Sequence, residues 1–285
     1  MVAYRFCRPD DMPLICRAVN ECYNPHFPGA PPLSLDHLKK EILELGVWVS
    51  NAMVAREGEE PVGVLIGTKR PEAVLIHKIG VRSDYQRRGH GRHLLTSLSQ
   101  KLAVLGPPRL IAEVPDDRPE LGTFFEACGY RREAPYVDFL YDERSSGSIP
   151  EELLFPVTLE EVHDQGLLFV DADASWGRTM ETLQASEGSL EGWGIATPEA
   201  LEAFVLGRTV DPPESCFDLL AWGCRDPART TILVGLLAAH LREKHGMPVR
   251  LARASSGEAR NHDLEAMGFR PLRRYSRFAA EAASA

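Results

Sequence analysis

The sequence predicts a mixed α/β protein, an α+β mixed sheet with helices on both faces, built from two similar halves in tandem. Three observations carry that expectation. The apolar stretch Ala73–Val81 runs into a basic, glycine-bearing loop and then into a helix-period pattern, Leu94, Leu95, Leu98, Leu102 and Leu105. Strand-like and helix-like stretches up to Tyr141 follow the order β-α-α-β-β-β-α-β-α-β. Segments of the first half then recur in the second. Gly106-Pro107-Pro108-Arg109-Leu110-Ile111-Ala112 returns as Gly246-Met247-Pro248-Val249-Arg250-Leu251-Ala252, and Ala127-Cys128-Gly129-Tyr130-Arg131 as Ala266-Met267-Gly268-Phe269-Arg270.

In chain order, residues 2–8 read as an edge strand. Arg8-Pro9-Asp10-Asp11 then opens a helix, with proline and acids where an N-terminus favours them. The stretch from Tyr23 to Pro32 is too rich in proline for regular structure, and Ser34 caps a second helix reaching Leu45. Val47–Ala55 and Pro61–Thr68, joined at Glu57-Gly58-Glu59-Glu60, read as a hairpin. After the central strand, loop and helix come a strand at 109–115, a helix Pro119–Cys128 ended by Gly129, and a closing strand Tyr136–Tyr141. Residues 144–150, small and polar, read as a linker between a first domain at 1–143 and a second at 151–285.

Composition narrows the class. The 285 residues are 44% hydrophobic and 26% charged, as in ordinary globular proteins. A formal net charge of −9 argues against a general nucleic-acid binder, which needs a basic footprint. Six scattered cysteines form no close pair, and no histidine spacing suits a metal, so neither a disulfide framework nor a metal site is expected. The N-terminal stretch reads as a strand rather than a signal peptide, and no apolar run is long enough to span a membrane, so a cytoplasmic location is expected, with no membrane partner.

The loop Gln86-Arg87-Arg88-Gly89-His90-Gly91-Arg92 is suited to anions. Gly89 and Gly91 allow a tight turn and close backbone approach, while the start of the helix presents free N–H groups and a positive dipole end. Arg87, Arg88 and Arg92 add guanidinium forks matched to phosphate. A P-loop would need Lys-Ser/Thr where Arg92-His93 stands, and a dinucleotide-binding loop a third glycine where Leu94 stands.

The stretch resembles the acetyl-CoA loop of the GCN5-related N-acetyltransferases (GNAT), Gln/Arg-x-x-Gly-x-Gly/Ala. Thr123-Phe124-Phe125-Glu126-Ala127-Cys128-Gly129-Tyr130 is similar to that family's Phe-Tyr-x-x-x-Gly-Phe motif. The resemblance implies two tandem GNAT-like domains, acetyl-CoA as co-substrate and a small-molecule amine or peptide N-terminus as acceptor, in a monomer or homodimer. It implies that Gln86, Arg87, Arg88, Gly89, His90, Gly91 and Arg92 hold the phosphates, and that backbone groups of Ile79 and Val81 meet the pantetheine arm and acetyl group. Tyr23, His26 and Phe27, between the first two helices, would line the acceptor pocket.

For the base, His77 on the central strand is the first candidate, since arylalkylamine N-acetyltransferases have a histidine at the corresponding place and imidazole titrates near neutrality. Alternation along a regular strand would put His77, Ile79 and Val81 on one face, opposite Ile76 and Lys78. Glu113 and an ordered water are the alternatives. The family's usual acid is the motif tyrosine, where this sequence has Phe125, able to pack on pantetheine but not to donate a proton. Water, Tyr130 or Tyr136 could substitute, or the protein binds acyl-CoA without transferring. The second half has Cys224-Arg225-Asp226-Pro227-Ala228-Arg229-Thr230-Thr231 in place of the loop, with neither glycine. It reads as a degenerate copy that does not bind the cofactor, in a pattern similar to the mycothiol synthases, though here the N-terminal half kept the loop.

Overall fold

A computed structural model of the chain describes all residues except 28, 144–148, 211–213, 258–260 and 283–285, with the backbone alone for 261–263. Most of the expected linker therefore lies outside the described residues. The chain divides into two compact units, Met1–Glu133 with the chain from Ser276 onward, and Ala134–Tyr275.

Unit 1 contains β1 (Val2–Phe6), α1 (Met12–Cys22), α2 (Leu35–Leu45), β2 (Met53–Glu57), β3 (Glu60–Lys69), β4 (Ala73–Val81), α3 (His90–Leu105), β5 (Arg109–Pro115) and α4 (Pro119–Ala127). Its strands run in the order β1-β2-β3-β4-β5, antiparallel except for the parallel pair β4/β5. The β-branched and leucine side chains of β3 alternate between two cores. Val64 and Ile66 go to the α1/α2 face and Leu65 to the α3/α4 face; Val62 also reaches the α3/α4 face, because a register shift in the pairing with β2 leaves it as an extra residue. Ser34 Oγ accepts from the N–H of His37 at 3.1 Å, so the predicted N-cap forms, and Gly46 ends α2 at φ +73°. The strand expected from Val47 is shorter: Val49–Asn51 makes a 3-10 turn, and the ladder starts at Met53.

Unit 2 repeats this order. Its elements are β7 (Leu154–Pro156), α5 (Leu159–Asp164), α6 (Met180–Ala185), β8 (Glu191–Ala196), β9 (Leu201–Val210), β10 (Cys216–Cys224), α7 (Thr230–His245), β11 (Val249–Ser255) and α8 (Asn261–Ala266). The tandem architecture is therefore present, but the units are not bounded as the contiguous stretches 1–143 and 151–285. The two closing strands, β6 (Arg131–Tyr141) and β12 (Arg270–Glu281), each begin in one unit and end in the other. From Ala134, β6 belongs to unit 2, where it pairs antiparallel with β11 and buries Phe139 and Tyr141 in that unit's core. The end of β12 belongs to unit 1, where Phe278 joins Leu98, Phe125 and Tyr130. The physical reason is that β12 presents a Phe to an open edge as well as β6 does, and apolar alternation does not specify which sheet a strand joins.

Candidate active site

The parallel pair β4/β5 is short. Only Ala73, Val74 and Leu75 pair, with Arg109, Leu110 and Ile111; beyond them the strands diverge, although β4 continues to Val81 and β5 to Pro115. On the other edge β4 stays paired with β3 through Val81↔Gly63. The N–H of Arg82 bonds the carbonyl of Val62 at 3.0 Å, which fixes the antiparallel alternation. Gly80 thus faces β3 with both backbone polar groups, while Ile79 and Val81 turn theirs into the opening beside β5. Gly80 is required here for a different reason: a Cβ would lie 2.4 Å from the carbonyl oxygen of Cys22, so α1 can meet β4 only at a glycine.

At the end of the opening lies the glycine loop. Gln86, Arg87, Arg88 and Gly89 are exposed. Gly89, at φ +86°, precedes α3, and no side chain caps the helix, so its first N–H groups and positive dipole end face outward. Arg87 also has a positive φ of 60°, a conformation unfavourable for a side-chain-bearing residue and characteristic of ligand-facing loops. Gly91 serves packing: a Cβ would come within 3.2 Å of the Phe124 ring on α4. Not every loop side chain faces the same way. His90 Nδ1 is 2.5 Å from the Tyr4 hydroxyl, and Arg92 donates to the carbonyl of Ala127 at 3.0 Å, one turn along α3 and away from Gly89.

His77 departs from the predicted parity. Ile66 pairs with Lys78 and Gly67 with Ile76, so His77 is the extra residue of a bulge in β4. A bulge cancels one step of alternation, and His77 and Lys78 therefore meet the same partner, Glu41 of α2. Lys78 Nζ is 2.5 Å and His77 Nε2 3.2 Å from Glu41 Oε1, and the two nitrogens lie 2.6 Å apart. Burial pushes the Glu41 carboxyl up, but the hydrogen bond and charge of His77, then the charge and hydrogen bond of Lys78, bring it down to about 2. Glu41 is thus a fixed buried anion that holds both nitrogens. Glu113 lies past the last β4/β5 pair. Leu110, Ala112 and Val114 go to the α3/α4 core, so alternation puts Glu113 on the α1/α2 face, the face of Glu41.

The segment after α1 lies against the end of β4. His26 Nε2 is 2.9 Å and Gln86 Nε2 3.0 Å from the carbonyl of Val81; an oxygen there can only accept, so both nitrogens donate. Arg118, just before α4, donates to the carbonyl of His26 at 3.0 Å and covers the Phe27 ring, which in turn stacks on Tyr23. Tyr23, His26 and Phe27 are therefore brought beside Gln86 and the end of β4. Val81 keeps its N–H for a ligand, whereas its carbonyl is engaged.

Phe125 is a correction. It is 4% exposed and stacks on Phe278 and against Tyr130 in the core, so it does not face the loop; its neighbour Phe124 does, at Gly91. The two substitute acids are also accounted for. Burial raises the Tyr130 hydroxyl, making it a weaker acid, and the Tyr136 hydroxyl is in unit 2, bonded to the carbonyl of Asp173. Glu41, Lys78, Arg118 and Phe124 went unnoticed in the sequence, since each gains its position from an element far along the chain.

A mixed sheet whose parallel pair splays beside a glycine-bearing helix start defines the acyl-CoA N-acyltransferase fold. Residues 15–130 match the model of the Acetyltransferase (GNAT) family, and the chain over its length has the fold of a tandem GNAT protein. Acyl-CoA-dependent acetyl transfer is the chemistry of that class. No curated protein matches it in sequence. Among solved structures it is similar to the tandem GNAT protein from the clavulanic acid biosynthesis pathway, at 17% identity over 100% of both chains with a TM-score of 0.72. It is also similar to a GCN5-related N-acetyltransferase from Sphaerobacter thermophilus (15% identity, 99% of this chain and 96% of that one, TM-score 0.68). A glucosamine N-acetyltransferase region of a fungal multi-domain GH3 β-N-acetylglucosaminidase matches at 14% identity over 98% of this chain and 38% of that one, with a TM-score of 0.71. At such identities the likeness is one of fold.

Proposed function

We propose that the chain is an acetyl-CoA-dependent N-acetyltransferase that acetylates a primary amine by direct attack, with both substrates bound together at unit 1. The observation that carries this reading is the uncapped start of α3 behind Gly89, at the end of the same opening into which Ile79 and Val81 turn their N–H groups. Backbone N–H groups of the loop, Gln86, and the exposed Arg87 and Arg88 fit a diphosphate. His90 and Arg92 contribute through their backbone, since their side chains are engaged by Tyr4 and Ala127. When bound, acetyl-CoA supplies the activated acetyl thioester.

The N–H groups of Ile79 and Val81 are the donors available to a carbonyl oxygen in the opening. His77 takes the proton of the incoming amine; the Glu41 carboxylate beside it favours the added charge, and the Lys78 ammonium, 2.6 Å from Nε2, opposes it. Glu113, on the same face of the neighbouring strand, is the second candidate for that role. Tyr23, His26 and Phe27 form the acceptor side, a setting for a small amine or a peptide N-terminus, and we place the reaction in the cytoplasm. Unit 2 is read as the degenerate copy. Its turn before α7 uses the Asp226 carboxylate to accept from the N–H of Ala228 at 2.9 Å, where unit 1 has an open, positive helix start.

A second reading, an acyl-CoA-binding module without transfer, is favoured by the absence of a hydroxyl at Phe125. One experiment tests both. Calorimetry with acetyl-CoA should give saturable binding that is lost in Gly89→Asp/Gly91→Asp, and a screen of amines should then release free thiol. Binding without thiol release supports the module; no binding by the wild type removes both.

A further inference from the structure

Unit 2 keeps the opening of unit 1 while its chemistry differs. Phe217, Asp218 and Leu219 of β10 pair parallel with Val249, Arg250 and Leu251 of β11, and a register shift between Leu219 and Ala221 leaves Leu220 in a bulge. The N–H of Arg225 bonds the carbonyl of Glu202 at 2.7 Å, so Trp222 and Cys224, like Ile79 and Val81 in unit 1, turn their backbone N–H and C=O away from the antiparallel neighbour β9. At this end of β10 lies a cavity of about 190 Å³, lined by Leu167, Phe169, Leu220, Ala221, Trp222 and Thr230 among others. For scale, a cavity of about 150 Å³ with apolar walls holds a benzene molecule. Arg178, 3% exposed, is part of the lining and donates Nε–H to the bulge carbonyl of Leu220 at 3.0 Å. Phe169, 71% exposed, stands at the mouth.

Phosphate is disfavoured here. The glycine turn is absent, and the Asp226 carboxylate both occupies an N–H of the turn and adds negative charge beside the start of α7. What remains is a chamber with apolar side chains on one side and, on the other, the Trp222–Cys224 backbone and Arg178. We propose that this cavity is a separate binding site for a small molecule with an aromatic or branched apolar body and one amide group. The body fills the space against Leu167, Phe169 and Trp222, and the amide pairs with the Trp222 and Cys224 backbone in the manner of an added strand.

The test uses benzamide as probe and ligand-observed saturation-transfer NMR on the full chain. Saturation transfer is expected for the wild type and, undiminished, for Gly89→Asp/Gly91→Asp, in which the unit 1 loop is disabled. It should fall at least fivefold in Thr230→Trp, which fills the chamber from the partly exposed helix start, and in Phe169→Ala, which opens the mouth at an exposed position. The proposal is overturned if the wild type gives no transfer from benzamide, if the unit 1 loop variant abolishes it, or if Thr230→Trp and Phe169→Ala both leave it unchanged.

Discussion

Glu41→Gln isolates the buried ionic group under the active-site strand. The carboxyl is 9% exposed and anchors Lys78 and His77 through one oxygen. Its drop from an ordinary 4.5 to about 2 in the folded protein, at about 1.4 kcal/mol per unit, corresponds to about 3 kcal/mol of stabilisation. Because the folded value lies below the unfolded one, this contribution is complete above about pH 4.5 and is lost as the pH falls toward 2. Removing the charge also leaves the Lys78 ammonium buried beside a neutral amide, and breaking a buried pair costs about 3–5 kcal/mol. Urea unfolding of the full chain should therefore show Glu41→Gln destabilised by about 3 kcal/mol at pH 7 and by less than about 1 kcal/mol near pH 2.5. Adding Lys78→Met to Glu41→Gln should restore part of the loss, since no unpaired charge is then buried. A cost below about 0.5 kcal/mol at pH 7, the exposed-pair range, or one equal at both pH values, refutes the assignment of Glu41 as a fixed buried anion.

Three further outcomes follow from the same geometry. Phe278→Ala, which empties the space between Phe125 and the rest of the unit 1 core, should destabilise the chain by about 3–5 kcal/mol in denaturant unfolding. Gly91→Ala should weaken acetyl-CoA binding by pressing a methyl onto the Phe124 ring, and Phe124→Leu in the same chain should restore it; calorimetry that finds no rescue would show that Gly91 acts on the ligand directly. His77→Ala should lower kcat by about 10²–10⁴ with acetyl-CoA affinity unchanged, whereas an equal loss in Glu113→Gln alone would transfer the base role to β5.

What the sequence revealed depended on how local the cause was. The loop was legible because Gly89, Gly91 and the following helix pattern are contiguous, and positive φ is a property that glycine advertises. The N-cap of α2 at Ser34 was legible for the same reason. The orientation of His77 was not, because the bulge that sets it is a relation between β4 and β3, one residue out of register, and a single extra residue inverts parity. Glu41 carried no signal either: on its own helix it reads as one more solvated acid, and only the packing of α2 on the sheet makes it a buried anion. Phe125 was read as the motif position, yet neighbouring residues on a helix point about 100° apart, and α4 turns Phe124 rather than Phe125 toward Gly91. The first closing strand was read at Tyr136–Tyr141, but the unit that a closing strand completes is a long-range matter that apolar alternation does not specify.

The two units together separate what belongs to the fold from what belongs to the chemistry. Both have three parallel pairs followed by a divergence, and both have a bulge in the strand that lines it. Those features recur in a half with no glycine loop, so they arise from the packing of the sheet and do not by themselves call for a nucleotide. The difference lies in a few residues after the strand. In unit 1 the chain spends two positive-φ positions, Arg87 and Gly89, to leave a helix start uncapped in solvent. In unit 2 an aspartate satisfies the equivalent turn from within. An uncapped helix start forgoes about 1 kcal/mol that a capping side chain would provide, and unfavourable backbone at Arg87 adds about 1 kcal/mol or more. A loop that had lost its ligand would be free to recover both; in unit 2 the Asp226 carboxylate caps the 3-10 turn Pro227–Arg229 that leads into α7. That unit 1 retains both costs is the physical reason to assign the acyl-donor site to Gly89 and its neighbours rather than to the opening as such.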